Sequence, residues 1–420
     1  MPNVSGRGDA EIALAVIGTL VPDEARFHGP AFNRAGQMFQ KEFARALAHA
    51  GLKPSAIFGI EPVPAFPHTR RLLVRGAQLE LGDGLRVRLL PFLNVQPLKP
   101  VTAGLSVIVA LIAWGWRHRR QPRIVHCINL TMPPGLAVLV GARLIGAKAT
   151  VSVLDIFRPG GIVPDRFYWR VDYWLQRHLI PKFDGHAVVS EAIVEDFLPG
   201  RRVCRIEGGI RPDDFGAETR PEAPTTPSLF RAVLAGTLDV HNGVELALDA
   251  FSRLPQDGYE LVVAGSGAMA RVVEERASID SRIVFRGFLS FDEVLALYRS
   301  ADVLLNLRVT RAMDTRYFFP SKMMECMASG TPVLSTLTGH VEEEFGDFVY
   351  LLRDESPAAL AALLTRIAGL TEHERAEMGR RAKAYMFAHK TWDRQGEKMA
   401  GYLRSVVLGD TRDATLRSWR

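Results

Sequence analysis

The chain has 420 residues, 47% of them hydrophobic and 23% charged, with no low-complexity block, which excludes a disordered or fibrous protein and leaves room for two ordinary domains. A net charge of +6 and a pI of about 9.3 suit an anionic substrate or an anionic membrane surface. No zinc-finger spacing or RNP-type aromatic motif argues for nucleic acid, and three dispersed cysteines (Cys127, Cys204, Cys326) read as buried thiols rather than a disulfide or metal framework.

Met1 to Glu11 is polar, so no secretory signal is expected there. Ile12 to Thr19 is an apolar run that reads as a buried first strand, followed by a loop with Pro22, Gly29 and Pro30. Ala35 to Ala50 has helical periodicity and Gly51 to stop it. Ser55 to Ile60 and Val87 to Leu90 read as strands. Val101 to Trp116 is apolar and ends in Arg117-His118-Arg119-Arg120. It falls short of the roughly 20 residues of a spanning helix, and reads as a helix packed in the first domain. Trp114, Trp116 and the basic end make it the candidate contact with a membrane surface.

Strands at Ile124–Asn129, Ala149–Leu154, Gly185–Ser190 and Val203–Glu207 alternate with helices, of which Tyr168–Leu179 is rich in aromatics. Pro221, Pro224 and Pro227 mark 216–228 as a linker. A second alternation then runs from Phe230, with strands at 230–235, 259–264, 282–286, 302–307, 332–335 and 348–351. Helices at 356–370, 372–389 and 392–407 follow, and 411–420 reads as a loose basic tail. Such alternation predicts two domains with parallel, doubly wound α/β sheets, 1–215 and 229–389.

The stretch Phe318-Phe319-Pro320-Ser321-Lys322-Met323-Met324-Glu325-Cys326-Met327-Ala328-Ser329-Gly330-Thr331-Pro332 concentrates the chemistry. Pro320 or Ser321 can open a helix, with the Ser321 hydroxyl as cap, and Gly330 can close it. Lys322 and Glu325 then share one face, while Met323 and Met327 face inward. A helix N-terminus suits phosphate, Lys322 adds a cation, and Glu325 adds an acceptor for two neighbouring hydroxyls such as those of a ribose. The same spacing also describes a plain surface Lys–Glu pair.

This stretch, with its tail Ala328-Ser329-Gly330-Thr331-Pro332-Val333, resembles the donor-site helix of retaining glycosyltransferases of family 4, and Phe319-Pro320-Ser321-Lys322 resembles their bacterial surface-polysaccharide branch. The resemblance implies the GT-B fold, with two Rossmann-like domains facing a central cleft and a C-terminal helix, 390–410, crossing back to the first. Glu325 matches the second Glu of the family's Glu-x7-Glu motif, which binds the nucleotide ribose. The first Glu is replaced by Tyr317.

The stretch Ile206-Glu207-Gly208-Gly209-Ile210 with Asp214-Phe215 resembles the family's crossover, which puts Gly209 beside the nucleotide. The loop at Gly236 resembles the one that carries two cations against the donor diphosphate, yet their positions hold Thr237 and Asn242. Arg308 and Lys322 are the expected substitutes, with Arg311 and Arg316 as further cations on the same loop. Gly265-Ser266-Gly267 and Gly287-Phe288 match the loops beside nucleotide and base. In the first domain, Gly29 and His126 are candidates at the cleft, and Asp155 for orienting the acceptor. A lone histidine on an apolar strand, such as His126, is more often a satisfied core histidine.

The function implied is hexose transfer, with retention, from a nucleoside diphosphate sugar to a saccharide acceptor carried on a lipid diphosphate, in the cytoplasm or at the inner membrane face. No cofactor is expected. With no Asp-x-Asp to hold a metal–diphosphate complex, no metal is expected either. Competing readings are a nucleotide-sugar epimerase of the same architecture and a non-catalytic nucleotide-sugar-binding subunit, which the missing cations at Thr237 and Asn242 keep open.

Overall fold

The structure is a computed structural model that describes residues 11–129, 134–156, 158–160, 163–216, 229–310 and 315–409. Most of the expected linker, the tail and Arg311 lie outside these residues. The chain divides into two compact units, one of residues 1–208 with 392–420 and one of residues 209–391. The division falls earlier than the expected 215, because Ile210 and Phe215 bury themselves in the core of the second unit. The return to the first unit falls at Trp392 rather than 390.

The first unit runs β1 (Ala13–Gly18), α1 (Arg34–His49), β2 (Ala56–Gly59), β3 (Leu73–Val74), β4 (Ala77–Gly82), β5 (Leu85–Leu89), β6 (Phe92–Leu93), α2 (Leu98–Arg117), β7 (Arg123–Ile128), α3 (Pro134–Leu144), β8 (Lys148–Val153), α4 (Phe167–Leu179), β9 (Gly185–Val188), α5 (Glu191–Phe197) and β10 (Val203–Arg205). Eight strands form one sheet in the order β10-β9-β8-β7-β1-β2-β5-β4, parallel except for β4 at its edge. The central strand β1 is apolar throughout because both sheet faces are covered. Every residue of β1 is buried, whereas β4 buries only Leu81. Asn33 caps α1 by accepting the Gly36 N–H at 3.1 Å.

The second unit runs β11 (Phe230–Thr237), α6 (Val244–Phe251), β12 (Tyr259–Ser266), α7 (Ala270–Ile279), β13 (Ile283–Phe285), α8 (Phe291–Arg299), β14 (Val303–Asn306), α9 (Ser321–Ala328), β15 (Val333–Thr336), α10 (Val341–Phe345), β16 (Tyr350–Leu352), α11 (Pro357–Ala368) and α12 (Glu372–His389). Its sheet is wholly parallel, in the order β13-β12-β11-β14-β15-β16. Successive strands step one way from β11 and then the other, the order of a dinucleotide-binding fold. The last helix, α13 (Trp392–Leu408), packs on α1 of the first unit. There Gly396 is required: a Cβ on it would stand 2.4 Å from the Ala46 carbonyl oxygen.

Candidate functional site

In an open parallel sheet, ligands bind beyond the carboxyl ends of the strands where the order reverses. In the second unit that point lies between β11 and β14. Gly236 and Thr237 end β11, Gly265 and Ser266 end β12 with Gly267 just after, and Arg308 stands two residues past β14. Gly236, Gly265 and Gly267 have φ of +129°, +136° and +151°, which side-chain-bearing residues rarely adopt. A Cβ on Gly265 would lie 1.8 Å from the Gly236 carbonyl oxygen, and one on Gly267 2.3 Å from that of Leu238. The Gly265 N–H donates to the Gly287 carbonyl at 2.7 Å, so the three strand ends form one glycine-lined shelf. Phe288 stands exposed beside it.

The helix α9 supplies the charged groups. Met323 and Met327 are buried as the pattern requires and anchor it among Val333, Ala382 and Met386; each such burial is worth about 1.5–3 kcal/mol. The expected cap fails: Ser321 is exposed and is the first helical residue, while Pro320 holds the cap position without a side-chain bond. Opposite the buried methionines, the Lys322 side chain lies along Gly236. A Cβ placed there would be 3.5 Å from Lys322 Cδ and 3.6 Å from Nζ.

Burial holds the Lys322 ammonium below the usual lysine range; the Arg308 guanidinium pushes the same way and Glu325 opposes both. Burial raises the Glu325 carboxyl to about 7, partly offset by Lys322 and reinforced by Asp214. Arg308 is held at its backbone, where its N–H donates to Thr336 Oγ1 at 2.8 Å. Two cations and a carboxyl that ionises near neutrality thus lie beside a shelf whose own residues carry no side chain at Gly236, Gly265 and Gly267. A ligand with a phosphate for the cations and hydroxyls for the carboxylate would relieve the crowding of like charges.

The loop after β11 is closed by its own polar groups. Asn242 Nδ2 donates to the Thr237 carbonyl and its N–H to Asp239 Oδ1, both at 2.8 Å. Neither Thr237 nor Asn242 offers a ligand a cation. Tyr317, where the resemblance places a carboxylate, is 1% exposed, and the Arg316 guanidinium lies 5.4 Å from its ring centre. Gly209 is the first residue of the second unit, but the positive φ of the crossover, +116°, belongs to Gly208. Asp214 was missed by sequence reasoning; its influence on Glu325 crosses a long stretch of chain, and only the crossover resemblance pointed near it.

In the first unit His126 is corrected from a cleft residue to a core residue. It is fully buried, stacks on Phe43 at 5.2 Å, and hydrogen-bonds Thr150 Oγ1 and Ser152 Oγ, both at 2.9 Å. Burial drops its pKa to about 3, so it stays neutral. Gly29 is exposed and a Cβ on it would meet nothing within 4 Å, so the fold places no demand for glycine there. Asp155 lies half-buried, two residues past the carboxyl end of β8. Trp114 also changes role: it is buried and its indole N–H donates to Ser55 Oγ at 3.0 Å, leaving Trp116 as the exposed indole.

Comparison with known proteins adds a family context. Residues 36–207 match a glycosyl transferase 4-like domain and residues 230–369 match glycosyl transferases group 1. The chain is 29% identical over 169 residues to a putative colanic acid biosynthesis glycosyltransferase, WcaL, of Escherichia coli K12; the match takes in 39% of this chain and only 41% of that relative's length. Among solved structures it is similar to sucrose-phosphate synthase from Thermosynechococcus elongatus, with a TM-score of 0.66 and 16% identity over 95% of this chain and 100% of that one. It is also similar to Anabaena HepE in complex with UDP-glucose, with a TM-score of 0.62 and 13% identity over 94% and 99% of the two chains.

Proposed function

Since this chain belongs to the group 1 glycosyltransferases of GT-B fold, we propose that it transfers a hexose from a nucleoside diphosphate sugar to a saccharide acceptor carried on a lipid diphosphate, in the assembly of a bacterial surface polysaccharide. One observation carries the reading: a lysine laid along a glycine shelf at the reversal point of a parallel sheet, with a carboxyl one turn further along the same helix. The relatives' names, which include colanic acid and amylovoran biosynthesis, support the polysaccharide setting, and the UDP complexes of HepE support a nucleotide donor.

In this reading the diphosphate of the donor rests over Gly236 and Gly265, where only hydrogen atoms line the backbone. Lys322 and Arg308 neutralise it in place of the cations absent at Thr237 and Asn242. Glu325 accepts the two ribose hydroxyls, and the base lies towards Gly287 and Phe288. The anomeric carbon–phosphate oxygen bond breaks as the acceptor oxygen bonds the same face of the sugar, so the configuration is retained. The leaving diphosphate carries away the electron pair and takes the acceptor proton. Charge on that leaving group is what Lys322 and Arg308 stabilise. Asp155 orients the acceptor hydroxyl. The reaction proceeds without metal, on the cytoplasmic side of the membrane.

The test is release of nucleoside diphosphate from a panel of labelled donors, with and without a lipid-linked saccharide. Release that requires the acceptor and leaves an α-linked product from an α-linked donor supports the proposal. Conversion of donor without acceptor would point to an epimerase. Binding without any conversion would point to a non-catalytic subunit.

A further inference from the structure

We propose that the outward faces of α2 and α3 in the first unit dock on the surface of an anionic lipid bilayer. This deepens the assignment of a lipid-linked acceptor and rests on that reading for its biological purpose, though its test does not.

Leu98, Val101, Leu105, Val109, Ile112 and Trp116 recur at helical spacing and are all exposed, with Val109 at 66% and Trp116 at 70%. They make one apolar stripe about 27 Å long at 1.5 Å per residue. Leu136, Val140 and Leu144 make a second exposed stripe on α3. The two helices touch through glycines: a Cβ on Gly115 would stand 2.7 Å from Ile145, and one on Gly141 2.6 Å from Leu111. These pairs rise together in number, so α2 and α3 run parallel and end on the same side. Soluble proteins rarely leave adjacent apolar stripes uncovered.

Charge identifies the occupant. From Gly84 to Leu154 the sequence holds no aspartate or glutamate and nine lysines and arginines. Arg117, Arg119, Arg120 and Arg143 are exposed at the shared carboxyl end of the two helices, and the Arg119 guanidinium lies 4.9 Å from the Trp116 ring centre. Beside the same end of α2 is a cavity of about 360 Å³ lined by Lys53, Arg86, Arg88, Arg117 and His118, with no carboxylate in its wall. An apolar stripe, an interfacial tryptophan and a cluster of arginines match acyl chains beneath phosphate headgroups. A second copy of this chain would bring like charges together and is disfavoured. By length and hydropathy α2 could cross a bilayer. Its other face, however, is committed to the fold through Val107, Leu111 and Trp114, so it lies along the surface.

The experiment sediments the full chain with vesicles of phosphatidylcholine mixed with phosphatidylglycerol, and with phosphatidylcholine alone. The proposal expects binding to the mixed vesicles, weak binding to the neutral ones, and release by high salt. Leu105→Glu with Val109→Glu, both on exposed positions, should cut binding more than tenfold, and Arg120→Gln on the order of fivefold. Equal binding to both vesicle types, or a double variant bound like the parent, overturns it. Protein that an alkaline wash fails to release would instead contain a spanning helix and also overturns it. So does a double variant that turns a dimer into a monomer without losing vesicle binding. Nucleoside diphosphate binding by the same preparations is read separately: its absence would strike the proposed function and leave the docking surface standing.

Discussion

Replacing Lys322 by methionine separates the charge of this side chain from its length. The aliphatic stem still covers Gly236 in the variant, since the methylene at Cδ is what approaches the glycine most closely. What is lost is a cation facing the proposed diphosphate. A hydrogen bond to a charged group contributes about 1.5–3 kcal/mol, so the Kd for the diphosphate should rise by about 10- to 150-fold. The free protein should melt at the same temperature or slightly higher, because burial and Arg308 both disfavour the Lys322 cation when no ligand is bound. Titration calorimetry with UDP, GDP and ADP identifies the nucleotide that binds. The variant is then measured with that diphosphate and with its nucleoside. The account predicts a large loss for the diphosphate and less than a twofold change for the nucleoside. Equal losses for both, or an unchanged diphosphate, would refute the role given to Lys322.

The Glu325 carboxyl is raised to about 7, above its unfolded value, so its ionisation in the free protein is complete only above neutrality. Ribose hydroxyls donate best to the carboxylate, so nucleoside affinity should rise as pH goes from 6 to 8 and level off, with a flat profile in Glu325→Gln. The stability that Glu325 contributes is present below its unfolded pKa and is lost as pH rises through about 7, so Glu325→Gln should gain on the parent in chemical denaturation at pH 8 relative to pH 5. Gly265→Ala should cost several kcal/mol, on the order of 2–4, and abolish nucleotide binding, because its Cβ would overlap the Gly236 carbonyl. His126, held neutral with a pKa of about 3, binds protons in the unfolded chain first. Stability tied to it should fall as pH drops from about 6.5 towards 3, less steeply in His126→Gln, while donor turnover by that variant at neutral pH stays within about twofold of the parent.

The two parallel sheets were legible because buried central strands are mostly apolar and the helices between them keep a 3.6-residue period. The strand β4 was not, since an antiparallel edge with one buried residue, Leu81, looks like loop. The helix α10 was also missed: at Val341–Phe345 it has five residues, three of them glutamates, too few to show a period. The shared face of Lys322 and Glu325 could be read from spacing, whereas Arg308 entered only through the resemblance. Asp214 could not be read from spacing, because its effect on Glu325 depends on how residues 209–216 fold against the second unit. Trp114 and Trp116 differ by two positions, so a helix sends them to opposite sides, and composition alone assigned both to the surface.

The most direct measurement is the electron density of a bound nucleoside diphosphate in crystals of this protein. The account predicts the diphosphate over Gly236 with a phosphate oxygen on Lys322 Nζ, and both ribose hydroxyls on the Glu325 carboxylate. A nucleotide bound elsewhere, or bound here with its ribose turned away from Glu325, would contradict it.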